Sequence, residues 1–317
     1  MWHLNDIPKT IYLYWGRNRP LSYMRYMTIY SLSIFNPDWQ IIVYYPPQPC
    51  KLETWATKEQ KHQPYNGEDY FPLLYNLCNV EILPFAFGEI GEVKVNNEKP
   101  EIYKSDLLRL YLLGYCGGVW SDIDILYIRP LEQFCFNRES SDVNAVCCYR
   151  EPAVHVYNSI GLLMAGGNGK LLFSDLLFWA LEKYETNKSY QGLGSELYND
   201  YFKLYNIFPF VKTRDKVEEH YRKDGVVLAN LPYQTIYLNR NKGLMHFYKP
   251  SSFEIEKERI GIHWYSGHEI SARWENIITK ENIIDHQKLF LFKLMQRVKN
   301  DQIQYPHALS QKSRASA

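Results

Sequence analysis

Two aspartates one residue apart, Asp122 and Asp124, sit in the run GYCGGVWSDIDILYIRPL (114–131), which is otherwise largely apolar and aromatic. Carboxylates in such surroundings are rarely buried unless they are paired or bound to a cation. On a β-strand, side chains alternate faces, so the two acids point the same way, where like charges repel. A divalent ion with oxygen ligands, Mn²⁺ or Mg²⁺, resolves the conflict. Such ions are commonly held by one or two carboxylates together with a substrate's phosphates. The chemistry implied is the gripping of a metal diphosphate. A plainer alternative, two turn aspartates capping local backbone, is weakened by the context. The pair follows Gly117-Gly118 and a helix that carries its own polar pair, Asp106 and Arg109, three residues apart and therefore on one face. A solvent-facing ion pair there would contribute only ~0–1 kcal/mol. A charged pair at the inner edge of a leucine-rich helix is better suited to recognising hydroxyls.

These groups need a scaffold. TIYLYW (10–15) reads as a buried first strand, RPLSYMRYMTIYSLSIFNP (19–37) as a helix ended by Asn36-Pro37, and WQIIVYYPP (39–47) as a second strand. This β-α-β alternation predicts a parallel sheet. Residues 46–75 read as a surface excursion and NVEILPF (79–85) as a short strand. PEIYKSDLLRLYLLGYCGG (100–118) is the clearest helix, followed at once by a strand, VWSDIDILYI (119–128). VNAVCCY and NSIGLLMAG read as strands, KLLFSDLLFWALEKYE and QGLGSELYNDYF as helices, IGIHWYSGH as a late strand running into a loop, and ENIIDHQKLFLFKLMQRVKN (281–300) as a closing helix. The expected organisation is one α/β domain over 1–300 and a polar, disordered tail over 301–317.

The chain has 317 residues, 46% of them hydrophobic, enough for a substantial core. Its net charge of +1 lacks the basic footprint of a nucleic-acid binder. Tyrosine is frequent, at 27, which suits half-wet cores as well as sugar and nucleotide sites. The 6 cysteines show no CxxC pairing, which points to reduced thiols and a cytoplasmic setting. MWHLNDIPKTIYLYWG is no secretory signal, and no apolar run reaches the ~18 residues of a membrane span. Residues 281–299 alternate Leu289, Phe290, Leu291, Phe292, Leu294 and Met295 with Lys288, Lys293, Arg297 and Lys299. That pattern either packs on the core, the plainer reading, or makes a peripheral contact with a membrane surface.

KSDLLRLYLLGYCGGVWSDIDILYIRPL resembles the sugar-binding region of the DxD-containing glycosyltransferases of the family-32 type, and more distantly that of the clostridial glucosylating toxins. The shared pattern S-D-x-x-R, a leucine-rich turn, then G-G-x-Y-x-D-x-D is carried here by Ser105, Asp106, Arg109, Gly117, Gly118, Asp122 and Asp124, with Trp120 where tyrosine is usual. IPKTIYLYWGRNRPL resembles the family's first strand, with Tyr12 in place of histidine and Trp15 retained. The resemblance implies a GT-A fold, a mostly parallel sheet flanked by helices. Residues 1–130 would form its nucleotide-sugar half and 131–300 its acceptor half. It implies that Tyr14, Trp15 and Gly16 border the base, that Lys104, Ser105, Asp106 and Arg109 serve the donor sugar, and that Asp122 and Asp124 serve the ribose or sugar and the metal. Asn158 would lie near the transferred sugar, and Gly194 and Ser195 beside the acceptor. A carboxyl-terminal loop with Trp264 and Ser266 would close the diphosphate, with His263 the preferred further metal ligand and His268 the second candidate.

The implied reaction moves a sugar from a nucleotide diphosphate, most commonly UDP, to a hydroxyl of a glycan or lipid-linked acceptor with retained configuration. Three rivals stand beside it. A toxin-like protein glycosyltransferase is disfavoured because the chain lacks long helical additions. A D-x-D phosphatase or phosphotransferase would place the motif after the first strand and follow it with Thr or Val, not Ile125. An inactive sugar-binding protein would not need the intact acid pair.

Overall fold

The computed structural model describes residues 7–51, 64–90, 93–132, 143–149, 158–205, 218–221, 224–238, 242–250, 255 and 258–304. The alternation in the first strand, β1 (Thr10–Tyr14), decides which layer meets which side of the sheet. Ile11 and Leu13 enter one core with helix α1 (Tyr23–Phe35). Tyr12 and Tyr14 enter a second core with helix α2 (Glu101–Tyr115). The next strands, β2 (Gln40–Tyr45) and β3 (Val80–Pro84), obey the same rule, Ile41 and Val43 facing α1 and Ile42 facing α2. Helix α1 starts where Ser22 accepts a hydrogen bond from the Arg25 N–H and stops at Asn36, before Pro37. A short hairpin, β4 (Glu89–Ile90) and β5 (Val93–Lys94), precedes α2.

Helix α2 ends in Gly117 and Gly118, with φ of 72° and 105°. Both conformations suit glycine, and a Cβ at Gly118 would lie 2.7 Å from the Thr10 carbonyl oxygen. This tight turn sets β6 (Gly118–Ser121) directly against β1. Strands β7 (Ile125–Tyr127), β8 (Ala145–Tyr149) and β9 (Asn158–Ala165) follow, then helices α3 (Gly169–Tyr184) and α4 (Ser195–Leu204). Strands β10 (Glu218–Tyr221) and β11 (Val227–Leu231), helix α5 (Lys242–Phe247), strand β12 (Gly261–His263) and helices α6 (Glu269–Ile277) and α7 (Phe290–Gln304) complete the described chain. Among the described residues the main sheet has eight strands in the order β10-β11-β8-β9-β6-β1-β2-β3. Its β6-β1-β2-β3 half is parallel, and β9 runs antiparallel to both β6 and β8.

The single strand read over 119–128 is in fact two. Strand β6 stays in the main sheet, whereas β7 leaves it and pairs antiparallel with β12, so Asp122 and Asp124 lie in the turn between them. Two ionisable side chains fit a turn at the sheet's end better than a ladder buried on both faces. The loop after β12 turns into a helix, α6, that the sequence reading left as loop. The closing helix begins later than expected, after a 3₁₀ turn at Ile283–His286, and runs to Gln304. The remainder of the expected tail, 305–317, and part of the 46–75 excursion, 52–63, lie outside the described residues. Leu289, Phe290, Leu291, Leu294 and Met295 are buried in the core that α1 also joins, so those side chains are not available to a bilayer. Among the described residues no helix is long and apolar enough to cross a membrane. Cys78, Cys116, Cys147 and Cys148 are free thiols, the Cys50 thiol donates to the Glu98 carbonyl at 3.1 Å, and Cys135 lies outside the described residues.

Candidate active site

The antiparallel pairing of β7 with β12 sets His263 opposite Ile125, next to Asp124. The loop beyond it turns sharply at Tyr265, whose φ of 51° is rare for a bulky side chain. That turn points the Ser266 N–H at Asp124 Oδ2, 2.9 Å away, while the Trp264 N–H binds the Asp124 carbonyl at 2.9 Å. His263 Nε2 lies 3.2 Å from Asp124 Oδ1. Burial alone would raise the Asp124 carboxyl, but His263, Arg25 and the Ser266 N–H together hold it below the ordinary carboxylate range. Asp122 is fixed from the other side. Its N–H donates to the Gly161 carbonyl at 2.8 Å, and its Oδ1 accepts from Trp120 Nε1 at 3.0 Å and faces Arg109 Nη1 at 3.3 Å. The tryptophan that stands in the usual tyrosine position thus orients the first acid of the motif.

Arg109 is 2% exposed and ties the helix to the acids. Its Nη2 is 2.8 Å from Asp106 Oδ1, and its Nη1 also donates to the Ile160 carbonyl at 2.7 Å. Burial pushes the Asp106 carboxyl up to about 7 against the lowering pull of Arg109, with the Asp122 charge adding to the rise. The two residues share a face as their spacing required, and they stand at the cleft rather than on a solvated surface.

One ligand atom each from Asp122, Asp124 and His263 lie within 4.8 Å of one another. Two carboxylates and an imidazole form a donor set that fits a divalent cation. The carboxylates present their oxygens directly. The imidazole accepts from the Tyr265 N–H at Nδ1, 3.2 Å, which leaves its hydrogen on Nε2, facing Asp124. Ligation through Nε2 therefore moves that hydrogen to Nδ1 at the expense of the Tyr265 bond.

Two connected cavities meet at these residues. The smaller, about 830 Å³, is lined by Asp106, Ser159, Ile160, Tyr190, Tyr237 and Tyr265 among others, and by Gly194, Ser195, His263, Ser266 and His268. The larger, about 1120 Å³, takes in Tyr14, Trp15, Gly16, Ser105, Arg25 and Trp120. Arg109, Asp122, Asp124 and Ser266 line both.

Three residues expected at the site are elsewhere. Lys104 is 1% exposed and pairs with Glu101 Oε1 at 3.0 Å, under the loop that carries Gly16, and lines neither cavity. It lies one helical position away from the cleft-facing side. Asn158 turns into the sheet, where it accepts from Asn230 Nδ2 at 2.9 Å. Trp264 is buried against α1, its indole N–H 3.5 Å from Thr28 Oγ1. His268 reaches the cavity wall, but its Nδ1 caps α6 by accepting from the Ile270 N–H at 3.2 Å. Ser159, Tyr237 and Arg25 went unread, because nothing in their local sequence marks them. Tyr237 is brought in by a bridge to His263 and a hydrogen bond to the Ser159 hydroxyl. Burial raises its phenol well above the ordinary range, so it stays protonated.

An open, mostly parallel sheet with acids just beyond a strand end and a cleft there is a GT-A arrangement. Residues 24–141 match the family model described as "Glycosyltransferase sugar-binding region containing DXD motif". These residues carry the family's sugar-binding region, and glycosyltransferase activity is what that match supports. Distant likenesses in solved structures include PaToxG glycosyltransferase, with TM-score 0.48 and 15% identity over 93% of this chain and 87% of that one. The glycosyltransferase GlyE of Streptococcus pneumoniae TIGR4 gives TM-score 0.48 and 10% identity over 98% of this chain and 66% of its own. The galactosyltransferase LgtC, in complex with donor and acceptor sugar analogues, gives 0.35 and 11% over 88% of this chain and 100% of its own. No curated protein sequence matches the chain.

Proposed function

We propose that the protein transfers a sugar, with retention, from a nucleoside diphosphate donor, UDP-sugar favoured, to a hydroxyl of a glycan or lipid-linked acceptor, in a divalent-metal-dependent reaction. The observation that carries this reading is the convergence of Asp122, Asp124 and His263 where the two cavities join. A divalent ion held by these residues would supply Lewis-acid stabilisation of the departing diphosphate. The larger cavity, bordered by Trp15, suits the nucleoside, and the smaller, bordered by Asp106, Arg109 and Gly194, suits the sugar. Arg109, held from Asp106, Asp122 and the Ile160 carbonyl, is pre-organised to fix sugar hydroxyls without rearranging. The amino terminus of α4 at Ser195 opens beside the sugar pocket and is where an acceptor hydroxyl would enter. The carboxylates lining the sugar pocket are Asp106, Asp122 and Asp124, and each is already engaged by protein partners. Front-face attack is therefore the favoured route, with the acceptor proton leaving on the diphosphate.

A thermal-shift screen of UDP- and GDP-sugars with and without Mn²⁺ tests this. Stabilisation by a nucleotide sugar only when Mn²⁺ is present, abolished in Asp124→Ala, is the expected outcome. Equal stabilisation with and without the ion would remove the metal-dependent reading.

A further inference from the structure

The donor reading leaves a charge problem at the acid pair. Asp122 and Asp124 cancel the charge of one divalent ion, so an arriving diphosphate brings net negative charge that other groups must meet. The cations expected from the motif are already engaged: Arg109 serves Asp106, Asp122 and the Ile160 carbonyl, and Lys104 serves Glu101.

Arg25 is placed differently. It lies in the first turn of α1, which holds no acidic residue, so its charge stands against the helix macrodipole. Its guanidinium packs over the ring of Trp15 at 5.0 Å and over that of Trp264 at 5.5 Å. Its Nε donates to Glu275 Oε1 at 2.7 Å, and Ser22 Oγ donates to the same oxygen at 2.6 Å. Three neighbours, Trp15, Trp264 and Glu275, thus fix the plane of the group, with Ser22 bracing the carboxylate. The pairing uses only Nε; among the described residues the two terminal nitrogens make no hydrogen bond. The side chain keeps 15% exposure and lines the larger cavity with Trp15, Asp124 and Ser266. A pre-set guanidinium edge, facing a cavity and flanked by an indole, matches the geometry of phosphate recognition.

We propose that Arg25 binds the donor's diphosphate directly and supplies a protein cation to the leaving group. The proposal rests on the donor reading above. When the bond from the anomeric carbon to the diphosphate oxygen breaks, its electron pair stays on that oxygen. The acceptor oxygen forms the new bond to the anomeric carbon and gives its proton to the departing diphosphate. The terminal N–H groups of Arg25 stabilise the charge that develops there, while Trp15 and Glu275 keep the fork in place.

The test is calorimetric titration of the whole chain in Mn²⁺ with UDP and with UMP, for wild type, Arg25→Gln and Arg25→Lys. GDP and GMP replace them should the wild type bind only guanine nucleotides. Loss of charge-assisted bonds to the second phosphate should weaken UDP about 30-fold in Arg25→Gln and UMP by less than about threefold. Binding of Mn²⁺ alone should stay within about twofold, and Arg25→Lys should fall between, because a point charge cannot reproduce the fork. Equal losses for UDP and UMP, or no loss for either, overturn the proposal. If Arg25→Gln does not fold, judged by near-ultraviolet circular dichroism, the UDP-to-UMP affinity ratio of Arg25→Lys decides, and an unchanged ratio overturns it. A wild type that binds neither UDP nor GDP in Mn²⁺ overturns the donor reading and this proposal with it. That failure is visible before any variant is made, and so is distinct from a failure of Arg25 alone.

Discussion

The two walls of the cleft are made in different ways. The wall from Ser105 to Asp124 comes from one continuous stretch: a helix, a glycine turn and a strand end bring Asp106, Arg109, Asp122 and Asp124 together over twenty residues. The facing wall, Gly261 to Ser266, comes from far along the chain and is positioned by the three-residue pairing of β12 with β7, the bridge of His263 to Tyr237 and the bend at Tyr265. The first wall is written in local spacing, and the second exists only once the topology is complete. Substitutions that strike both walls should therefore differ in kind from those that strike one.

The largest effect is expected where the walls touch. Asp124→Ala removes the partner of His263, of the Ser266 N–H and of any bound ion, so transfer should fall by at least ~10³-fold. Measurement of sugar transfer together with Mn²⁺-dependent nucleotide binding checks it, and turnover near wild type would dissolve the link between the walls. His263→Ala damages only the remote wall. Whether the imidazole ligates the ion or orients Asp124, Mn²⁺ affinity should drop about 10- to 100-fold, read by Mn²⁺ electron paramagnetic resonance. Gly161→Ala pushes between the walls, because its Cβ would lie 2.6 Å from the Tyr237 hydroxyl and 3.2 Å from Asp122 Oδ2. A misfit of that size should weaken donor binding roughly tenfold at little cost to the Mn²⁺ affinity of the carboxylates, and an unchanged dissociation constant would show that β9 yields.

The effect smallest on turnover concerns pH and the local wall alone. The Asp106 carboxyl rises from 3.8 to about 7 on folding, chiefly through burial. A carboxyl raised in this way contributes stability below its unfolded value and loses it as pH climbs towards the folded one. Asp106→Asn lacks that loss, so the difference in melting temperature should shift in the variant's favour between about pH 4 and about pH 7. A constant difference across that window would mean the carboxyl titrates normally.

The same contrast explains what could be read without coordinates. The β-α-β start and α2 with Asp106 and Arg109 on one face follow from apolar alternation and spacing, which act within a few residues; the common direction of the acids does not, because they lie in a turn and not on a strand. The break between β6 and β7 was not legible, because alternating apolar residues run straight through it. Only the competition of β12 for β7 decides it. Lys104 shared the motif's sequence neighbourhood but sits on the wrong side of the helix. Arg25, Ser159 and Tyr237 carry no local signature, since their roles depend on Glu275, on the sheet and on the bridge to His263.

The three-residue ladder between β7 and β12 has a consequence for how the molecule can be taken apart. An excised fragment ending near Leu131 would retain every letter of the recognition motif yet lack the imidazole and the Ser266 amide that shape its second acid. The motif is therefore not a portable cassette; grafting it onto another scaffold would require transplanting the late strand along with it.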